Sequence, residues 1–389
     1  MATGTTEAVV IGGGISGTAA AYELARAGAR VTLLEQRSLA SMASGWTLAG
    51  VRQSGRHAAE LPLATAAVAR WEHLGEELGA DVEYRREGNL RLARSPEEVP
   101  VIQTIVAEQR NLGLDLTYLP DNAAVREIAP AIAASVLAAS YCPSDGHANP
   151  IATVEAFAMA AVRHGATLRT ETAVTAIDAS GGNIRGVHTT NGDIAADVIV
   201  VAAGVYTARL CAPLGLDLPI QVSHVAVVQT VPLPPLIRQV LGTAGADFAG
   251  RQEVGGRFRL TGGGKPWPHQ LDELNDGDDR VFPSAEDVIA ALARGIEVLP
   301  ALDHAGVARV WGGLLDMTPD ALPILERPPD LEGLVVAAGF SGHGFCLGPV
   351  TGQIVRDLVL GGTTAFPIQP FRRERFATMW GRAAATLHG

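Results

Sequence analysis

The first part of the chain alternates between short apolar runs and a longer segment with helical spacing. Ala8 to Ile11 and Arg30 to Leu34 are short, mostly apolar runs, and Ile15 to Ala27 repeats apolar side chains at helical intervals. Short apolar runs bounded by turn residues predict buried strands, whereas longer segments with this repeat predict helices. Because glycines separate the first run from the helical segment, the pattern predicts a strand, a turn, a helix and a second strand.

Helical periodicity returns further along the chain, with strand-like runs between the helical segments. The predicted helices cover Leu61 to Leu78, Glu97 to Leu112, Ile151 to His164, Ala285 to Leu299 and Val350 to Leu360. Between Thr167 and Gly204, short runs with Gly-Gly-Asn and Asn-Gly-Asp turn signals predict a small antiparallel meander. Buried strands are predicted at the end of this region, over Asp197 to Ala203, and near the C-terminus, over Leu334 to Ala338.

A strand followed by small residues occurs at the beginning, in the middle and near the end of the chain. We therefore expect a discontinuous domain built from residues 1–56, 147–218 and 318–389, with a second domain, 57–146 and 219–317, inserted into it. A length of 389 residues is sufficient for two or three domains. The predicted fold class is α/β, and the inserted domain is expected to be α+β with a mainly antiparallel sheet.

Composition and charge exclude several classes of protein. Apolar residues make up 47% of the chain and charged residues 18%, which is typical of a compact protein and not of a disordered one. The net charge of −11 is dispersed, which argues against nucleic-acid binding and adhesion to anionic membranes. No apolar segment predicts a membrane span, and the N-terminus lacks the basic region of a signal peptide, so we expect a cytoplasmic protein.

The three cysteines suggest neither a disulfide framework nor a metal site. Cys142, Cys211 and Cys346 are far apart in the sequence and form no pair or Cys/His cluster with the spacing of zinc ligands. We therefore expect no metal in this protein.

A glycine-rich turn between the first strand and the first helix predicts a dinucleotide site. Gly12, Gly14 and Gly17 form a GxGxxG pattern, in which backbone N–H groups and the helix dipole can receive a pyrophosphate. Glu35 follows the second strand, where a carboxylate can accept hydrogen bonds from an adenosine ribose and would repel the 2′-phosphate of NADP. The further expected contacts in this Rossmann-like unit are Ile15, Ser16, Gln36 and Arg37.

Three other segments favour FAD over NAD. Small and hydroxyl residues follow Glu35, a strand ends in Ala-Ala-Gly in the middle of the chain, and a longer glycine-rich turn precedes the last helix. That turn runs to Pro349, which we expect in the first turn of the last helix, with the positive end of the helix directed at the cofactor. The expected contacts are Ser41, Ser44, Gly45, Val174, Ala202, Ala203, Gly204, Gly339, Gly342, His343, Gly344 and Phe345.

Several motifs together resemble the D-amino-acid oxidase, sarcosine oxidase and glycine oxidase superfamily. They are VVIGGGISGTAAAYELARAGARVTLLEQ, SGWTLAGVRQ, DGHANP, ADVIVVAAGVY, TPDALPIL and AAGFSGHGF, and SGWTLAGVRQ is similar to the β-subunit-like members. The resemblance implies FAD in the discontinuous domain and a substrate domain whose sheet covers the flavin. It also implies hydride transfer from the carbon beside an amine to flavin N5, which gives an imine that water hydrolyses.

The resemblance places four candidate catalytic residues near the flavin. Arg52 follows SGWTLAG, and its guanidinium is suited to a bidentate grip on a substrate carboxylate, although a structural arginine is the alternative. His343 and His147 are candidates for contact with the flavin, with packing as the alternative. Arg259, with Lys265 nearby, stands where monomeric sarcosine oxidases have a lysine important for reaction with oxygen, which puts fast oxidase activity in doubt.

Two departures from the monomeric sarcosine oxidases affect the expected site. Cys346 stands where those relatives have a lysine shortly after HGF, so a second carboxylate anchor is missing there. The resemblance places the cysteine used for covalent flavin attachment a few residues before the TPD-like stretch, and the segment WGGLLDM at that place contains no cysteine, so non-covalent FAD is expected. His57 and His224 are more simply structural histidines.

We therefore predict an FAD-dependent oxidoreductase that acts on a small primary or secondary amino acid of the sarcosine, glycine, D-amino-acid, proline or opine type. Oxygen or another carrier would accept the electrons, and the chain could form a homo-oligomer or need a partner subunit. Three alternatives remain at this point: a 2-hydroxy-acid oxidase or dehydrogenase, a flavoprotein subunit that depends on a partner chain, and an NAD dehydrogenase.

Overall fold

The computed structural model describes residues 6–274 and 281–379 of the chain. The α-helices of this part are α1 (Ile15–Arg26), α2 (Ala43–Trp46), α3 (Leu61–Trp71), α4 (Leu74–Leu78), α5 (Glu98–Asn111), α6 (Asn122–Ile128), α7 (Pro150–Arg163), α8 (Thr207–Cys211), α9 (Ala285–Val298) and α10 (Gly344–Leu360). The ends predicted for the discontinuous domain, 1–5 and 380–389, lie outside the described residues, as do residues 275–280 of the inserted segment.

The strands contribute to four sheets. They are β1 (Glu7–Ile11), β2 (Arg30–Leu34), β3 (Gly50–Val51), β4 (Asn89–Ala93), β5 (Thr117–Leu119), β6 (Ala138–Cys142), β7 (Gly146–His147), β8 (Thr167–Arg169), β9 (Val174–Ser180), β10 (Asn183–Thr189), β11 (Ile194–Ala195), β12 (Val198–Val201), β13 (Gln221–Pro232), β14 (Val240–Thr243), β15 (Phe248–Gln252), β16 (Arg257–Gly262), β17 (Lys265–Pro266), β18 (Val307–Met317), β19 (Ile324–Glu326) and β20 (Leu334–Ala338).

A six-stranded sheet with the order β19-β20-β12-β1-β2-β8 brings together distant parts of the chain. Its pairs are parallel except for β19 with β20. Both faces are buried, because Val10 and Val200 pack with α1, α7 and α10 on one side, while Val9 and Ile199 pack with the β9–β11 meander on the other. Burial on both faces explains why these strands are continuous apolar runs in the sequence.

A nine-stranded sheet forms the second large layer. Its order is β17-β13-β16-β15-β14-β4-β6-β5, with β18 also paired to β13, and its pairs are antiparallel except for β14 with β4. One face packs with α6 and α9 around Phe258, Leu260 and Leu241. The predicted α/β class, with a parallel nucleotide-binding sheet and a mainly antiparallel second sheet, is confirmed.

Two predicted helices differ from those observed. The predicted helix from Leu61 to Leu78 is wrong as a single element, because the chain turns between Trp71 and Leu74 and forms α3 and α4. Both helices bury their apolar faces in the same core, so the spacing of apolar residues continues across the break. Because this spacing is continuous, the sequence pattern did not indicate a turn between the two helices.

The last helix begins earlier than predicted. Pro349 lies inside α10, which starts at Gly344, and not in its first turn. Proline lacks the N–H that would bond to the carbonyl one turn earlier. Two side chains of α3 supply other donors to this region: Trp71 Nε1 donates to the Cys346 carbonyl at 2.9 Å and Arg70 to the Pro349 carbonyl at 2.6 Å. No helix among residues 6–274 and 281–379 combines the length and apolar character needed to cross a membrane.

Candidate active site

A long cavity lies at the carboxyl ends of β1, β2 and β12. Glu35 and Thr172–Thr175 border one end, and the glycine turn around Gly12 borders the middle. Phe340, Gly342 and residues 314–316 of β18 border the other end. The carboxyl edge of a parallel sheet is where ligands of doubly wound folds bind.

Close backbone contacts shape the turn between β1 and α1. Gly12 has a φ of +114°, and a Cβ atom there would lie 2.3 Å from the Ala202 carbonyl oxygen. A Cβ atom on Gly17 would lie 1.9 Å from the Gly12 oxygen. The first turn of α1 therefore approaches β12 closely, and its positive end points toward the cavity. Ser44 accepts the Ile15 N–H at 3.0 Å and places the 40–46 segment over this turn.

Glu35 is held rigidly at one end of the cavity. Its carboxylate accepts the N–H of Gly13 at 2.6 Å and that of Arg37 at 2.9 Å. Burial raises the pKa of Glu35 above its ordinary value, while these two N–H groups act in the opposite direction. The acid is thus part of the turn as well as of the cavity wall.

Most of the predicted cofactor contacts line this cavity. They are Gly12, Gly14, Ile15, Ser16, Glu35, Gln36, Ser41, Ser44, Val174, Ala202, Ala203, Gly204, Gly342, Gly344 and Phe345. Gly17, Arg37, Gly45, Gly339 and His343 do not line it. Gly17 and Gly45 instead permit close backbone packing, since a Cβ atom on Gly45 would lie 2.0 Å from the Ala40 oxygen.

Sequence reasoning missed several residues of the cavity wall, of which Asp316 is chemically the most notable. Its carboxylate accepts the Gly339 N–H at 2.7 Å, and its carbonyl accepts the Ser341 N–H at 3.0 Å, so it fixes the glycine-rich turn before α10. Burial raises the pKa of Asp316 to about 6. The others missed include Thr47, Thr172, Tyr206, Arg209, Leu314, Leu315 and Phe340. The acid two residues before TPDALPIL was the one signal available for Asp316.

Arg52 lies in a buried group of arginines beside the cavity. Burial, and then the positive charges of Arg56 and Arg91, lower the pKa of Arg52 to about 9. Arg56 lies 3.6 Å from the Glu60 carboxylate, whereas Arg52 forms no ion pair with a described residue. Asp145 accepts the N–H groups of Gln53 and Ser54 and the Ser54 hydroxyl, which fixes the chain directly after Arg52. Arg52 is therefore a half-buried cation that forms no ion pair in the part of the chain that the structure describes, and the negative charge of Asp145 acts on its pKa in the opposite direction.

His343 joins the same group from the N-terminus of α10. Its Nδ1 atom lies 3.0 Å from a carboxylate oxygen of Glu60, and both side chains are buried. Burial, followed by the charge of Arg56, holds the pKa of His343 below its ordinary value. His343 and Arg52 are thus brought close to each other and to Glu60, although neither lines the cavity.

His147 and Arg259 occupy the boundary between the two large sheets. His147 Nδ1 lies 3.1 Å from an Arg251 nitrogen, and burial together with that charge keeps the pKa of His147 well below its ordinary value. Arg259 donates to the Thr47 carbonyl at 2.7 Å and lies 2.7 Å from Glu253. Lys265 is exposed and pairs with Asp287 on α9, away from the cavity wall.

Comparison with known proteins identifies the group to which the chain belongs. The family model described as "DAO: FAD dependent oxidoreductase" matches residues 7–358. The chain belongs to the FAD-dependent oxidoreductase family. This membership confirms the predicted enzyme class and cofactor and removes the NAD dehydrogenase alternative.

Individual relatives of this FAD-dependent oxidoreductase match along most of the chain. Glycine oxidase of Geobacillus kaustophilus (strain HTA426) is 32% identical over 95% of this chain and 97% of that protein, and a crystal structure of glycine oxidase from Geobacillus kaustophilus matches with a TM-score of 0.88. The structure of L-proline dehydrogenase from P.horikoshii matches with a TM-score of 0.86, at 29% identity over 96% of this chain and 98% of that one. The chain spans 45% of 4-methylaminobutanoate oxidase (formaldehyde-forming) from Paenarthrobacter nicotinovorans, at 29% identity over 95% of this chain.

The cavity of this FAD-dependent oxidoreductase fits FAD. A Cβ atom on Gly14 would lie 2.9 Å from the Ser44 hydroxyl. A side chain at this position would therefore occupy the space at the glycine turn where a pyrophosphate would bind. Glu35 would hold the adenosine end. The wall formed by Phe340, Gly342 and Asp316 would hold the flavin end.

Proposed function

We propose that this enzyme oxidises a small primary or secondary amino acid at the carbon beside the nitrogen, giving an imine that water hydrolyses. The names of its relatives support this class of substrate, since glycine oxidase and L-proline dehydrogenase are both named for amino acids. The observation that carries the proposal is the half-buried side chain of Arg52, which forms no ion pair among residues 6–274 and 281–379.

Arg52 is positioned to bind the carboxylate of an amino acid. A guanidinium offers two parallel N–H donors that match a carboxylate, and the interaction strengthens when water is excluded. Gly50 and Val51 lead from the 40–47 segment of the cavity wall to Arg52. A substrate held by its carboxylate at Arg52 would be oriented toward the flavin end of the cavity.

The surrounding residues keep the site free of strong bases. FAD, when bound, would supply the acceptor for the hydride that leaves the carbon beside the nitrogen, and the proton lost from the nitrogen would pass to solvent. His343 and His147 have lowered pKa values, so both imidazoles are neutral near pH 7. We propose that they pack and orient the site, and that Arg259 holds the 46–50 segment through the Thr47 carbonyl.

Anaerobic mixing of the purified holoenzyme with a panel of amino, imino and 2-hydroxy acids tests this function. We expect bleaching of the flavin absorbance by at least one amino or imino acid and by no hydroxy acid. Bleaching by a hydroxy acid alone would select the hydroxy-acid alternative. A yellow protein that no compound reduces would select the subunit that depends on a partner chain. Repeating the panel in air with a peroxide assay distinguishes an oxidase from a dehydrogenase.

A further inference from the structure

A buried acid, Asp316, lies in the wall of the cofactor cavity near the end of β18. It belongs to the flavin end of the cavity, where the wall also includes Phe340 and Gly342. Leu314, two residues earlier and therefore on the same face of the strand, packs in a cluster with Met42, which lines the cavity as well. The side chain of Asp316 is thus on the face of β18 that borders the cofactor.

The carboxyl group of Asp316 is fixed to the glycine-rich turn before α10, which forms another part of the same wall. Its Oδ2 atom accepts the Gly339 N–H at 2.7 Å, and the Asp316 carbonyl accepts the Ser341 N–H at 3.0 Å. The Ser341 hydroxyl in turn accepts the Thr318 N–H at 3.1 Å, so the end of β18 and the turn are joined at three points. These bonds hold the carboxyl group in one place beside the cavity.

Asp316 forms no ion pair among residues 6–274 and 281–379. Burial is the main cause of its raised pKa, and the opposing contributions come from backbone N–H groups, including those of Gly339 and Phe340. A buried carboxyl group of this kind responds strongly to a new charge nearby, because the protein interior screens charges less than water does. The cavity beside Asp316 holds a cofactor whose charge changes on reduction, so the two are expected to interact.

Other titratable side chains lie on the elements around Asp316, and among the described residues none of them is a cause of its raised pKa. They are Glu35, Tyr206 and Arg209 in the cavity wall, His224 on β13, His343 at the N-cap of α10, and Asp320 in the turn after β18. Asp320 is paired with Arg375 at 2.7 Å, and His343 lies 3.0 Å from Glu60. A variant that changes Asp316 alone keeps all of these groups, so their own titration cancels in a comparison with the native enzyme.

We propose that Asp316 controls how readily FAD is reduced, because its carboxylate takes up a proton from solvent when the cofactor in this cavity gains negative charge. Two electrons and one proton delivered to FAD add one negative charge, which repels a carboxylate nearby. A further proton that converts the Asp316 carboxylate to the neutral acid removes this repulsion. By linkage, reduction strengthens proton binding at Asp316 by the same factor by which protonation of Asp316 favours reduction. This inference rests on the cofactor and not on the proposed substrate class.

Reduction potentials of the native holoenzyme and of Asp316→Asn test this coupling, measured against a reference dye from about pH 5 to about pH 8 without any substrate. Asparagine can still accept the Gly339 N–H but carries no titratable group. Near pH 5 both side chains are neutral, because burial raises the pKa of Asp316 to about 6, so we expect equal potentials. Near pH 8 the ratio of reduced to oxidised flavin at a given dye potential should be about tenfold lower in the native enzyme, which corresponds to ~30 mV for two electrons.

The control is Asp115→Asn, which removes the same charge from an exposed acid between α5 and β5. Its potential should follow that of the native enzyme at every pH, so a general change in net charge is separated from a local effect. Equal potentials of the native enzyme and Asp316→Asn at every pH would overturn the proposal. A difference of constant size would also overturn it, because a purely structural change in the turn does not titrate.

A second measurement decides the question if Asp316→Asn does not retain FAD. The native holoenzyme, with isotope-labelled aspartate carboxyl groups, would be examined near pH 7 by infrared difference spectroscopy of the reduced and oxidised states. Loss of an aspartate carboxylate signal and gain of a protonated one on reduction would support the proposal. A spectrum without a change in the aspartate signals would overturn it.

Discussion

Glu35 shows how one residue can serve both the fold and the cofactor. Its two oxygens hold the glycine turn through Gly13 and Arg37, and its side chain also borders the end of the cavity where we propose that the adenosine of FAD binds. Substituting Glu35 therefore removes two interactions together, and a test must separate them.

For Glu35→Ala we expect FAD affinity to fall by about 1 to 3 kcal/mol, because a charged acceptor for the ribose is lost. Glu35→Gln keeps an oxygen acceptor and should lose less. Fluorescence titration of the FAD-free protein measures both affinities, and Glu155→Ala, an exposed acid on α7, is the matched control. An unchanged FAD affinity in Glu35→Ala would show that the acid serves the turn alone.

Arg52 is the residue on which the proposed function depends most. Arg52→Lys keeps the charge but loses the paired donors, and Arg52→Ala loses both, so substrate binding should weaken in that order. The full truncation should cost about 2 to 5 kcal/mol, measured as the concentration dependence of flavin bleaching. FAD content should remain as in the native enzyme and in Arg110→Ala, an exposed control on α5. Loss of FAD with normal turnover by the remaining holoenzyme would assign Arg52 to the cofactor instead.

Asp316 should make stability depend on pH in a defined window. Burial raises its pKa to about 6 in the folded protein, so the folded state holds this proton more tightly than the unfolded state does. Its contribution to the free energy of unfolding therefore falls as pH rises from about 4 to about 6, by an amount on the order of 3 kcal/mol, and is constant above that.

The Asp316→Asn variant isolates this contribution, because the amide oxygen can still accept the Gly339 N–H. We expect the free energy of unfolding of the native protein to rise relative to that of Asp316→Asn as the pH is lowered from 6 to 4. Urea unfolding of both proteins at several pH values measures this difference. Parallel curves for the two proteins across this window would contradict the raised pKa.

At the scale of elements, the sequence predicted best the strands and turns whose signals lie within a few neighbouring residues. Strands β1, β2, β12 and β20 are apolar runs because both faces of their sheet are buried. The turn between β1 and α1 can be recognised from the spacing of its glycines in the sequence. The start of α10 was predicted too late because Pro349 is a strong local signal, whereas the donors from Trp71 and Arg70 come from residues almost 280 positions away. Local pattern carries no information about such partners.

The contact between α1 and α10 depends on glycine and provides an element-scale prediction. A Cβ atom on Gly352 of α10 would lie 2.7 Å from backbone atoms of Ala19 in α1. Gly352→Ala should therefore reduce the free energy of unfolding by about 1 to 3 kcal/mol, although alanine is the better helix former. Urea unfolding measures this, and Gly255→Ala, where nothing lies within 4 Å of the added atom, is the control. Equal stability of the two variants would show that α10 can shift away from α1 without cost.

At the scale of the whole molecule, the candidate site is assembled by pairings that the sequence does not display. Leu314 to Asp316 reach the cavity because β18 pairs with β13 of the nine-stranded sheet. His343 was expected beside the cofactor from its motif, and the fold brings its Nδ1 within 3.0 Å of Glu60, a residue 283 positions earlier. The division into the two domains with the boundaries given above remains a prediction.

The residues of the cavity wall, which come from both large sheets, lead us to predict that the protein binds its cofactor non-covalently. The walls include no histidine or cysteine among the described residues, and these are the common nucleophiles for covalent attachment. We therefore expect acid or heat denaturation to release FAD, and not FMN, into solution and to leave a colourless polypeptide of unmodified mass. Because a ligand that binds only the folded state stabilises it, FAD at 100 times its dissociation constant should add about 2.7 kcal/mol to the free energy of unfolding. Flavin that stays with the denatured chain would contradict non-covalent binding. Thermal unfolding of the FAD-free protein that is insensitive to added FAD would contradict a cofactor site that exists only in the folded state.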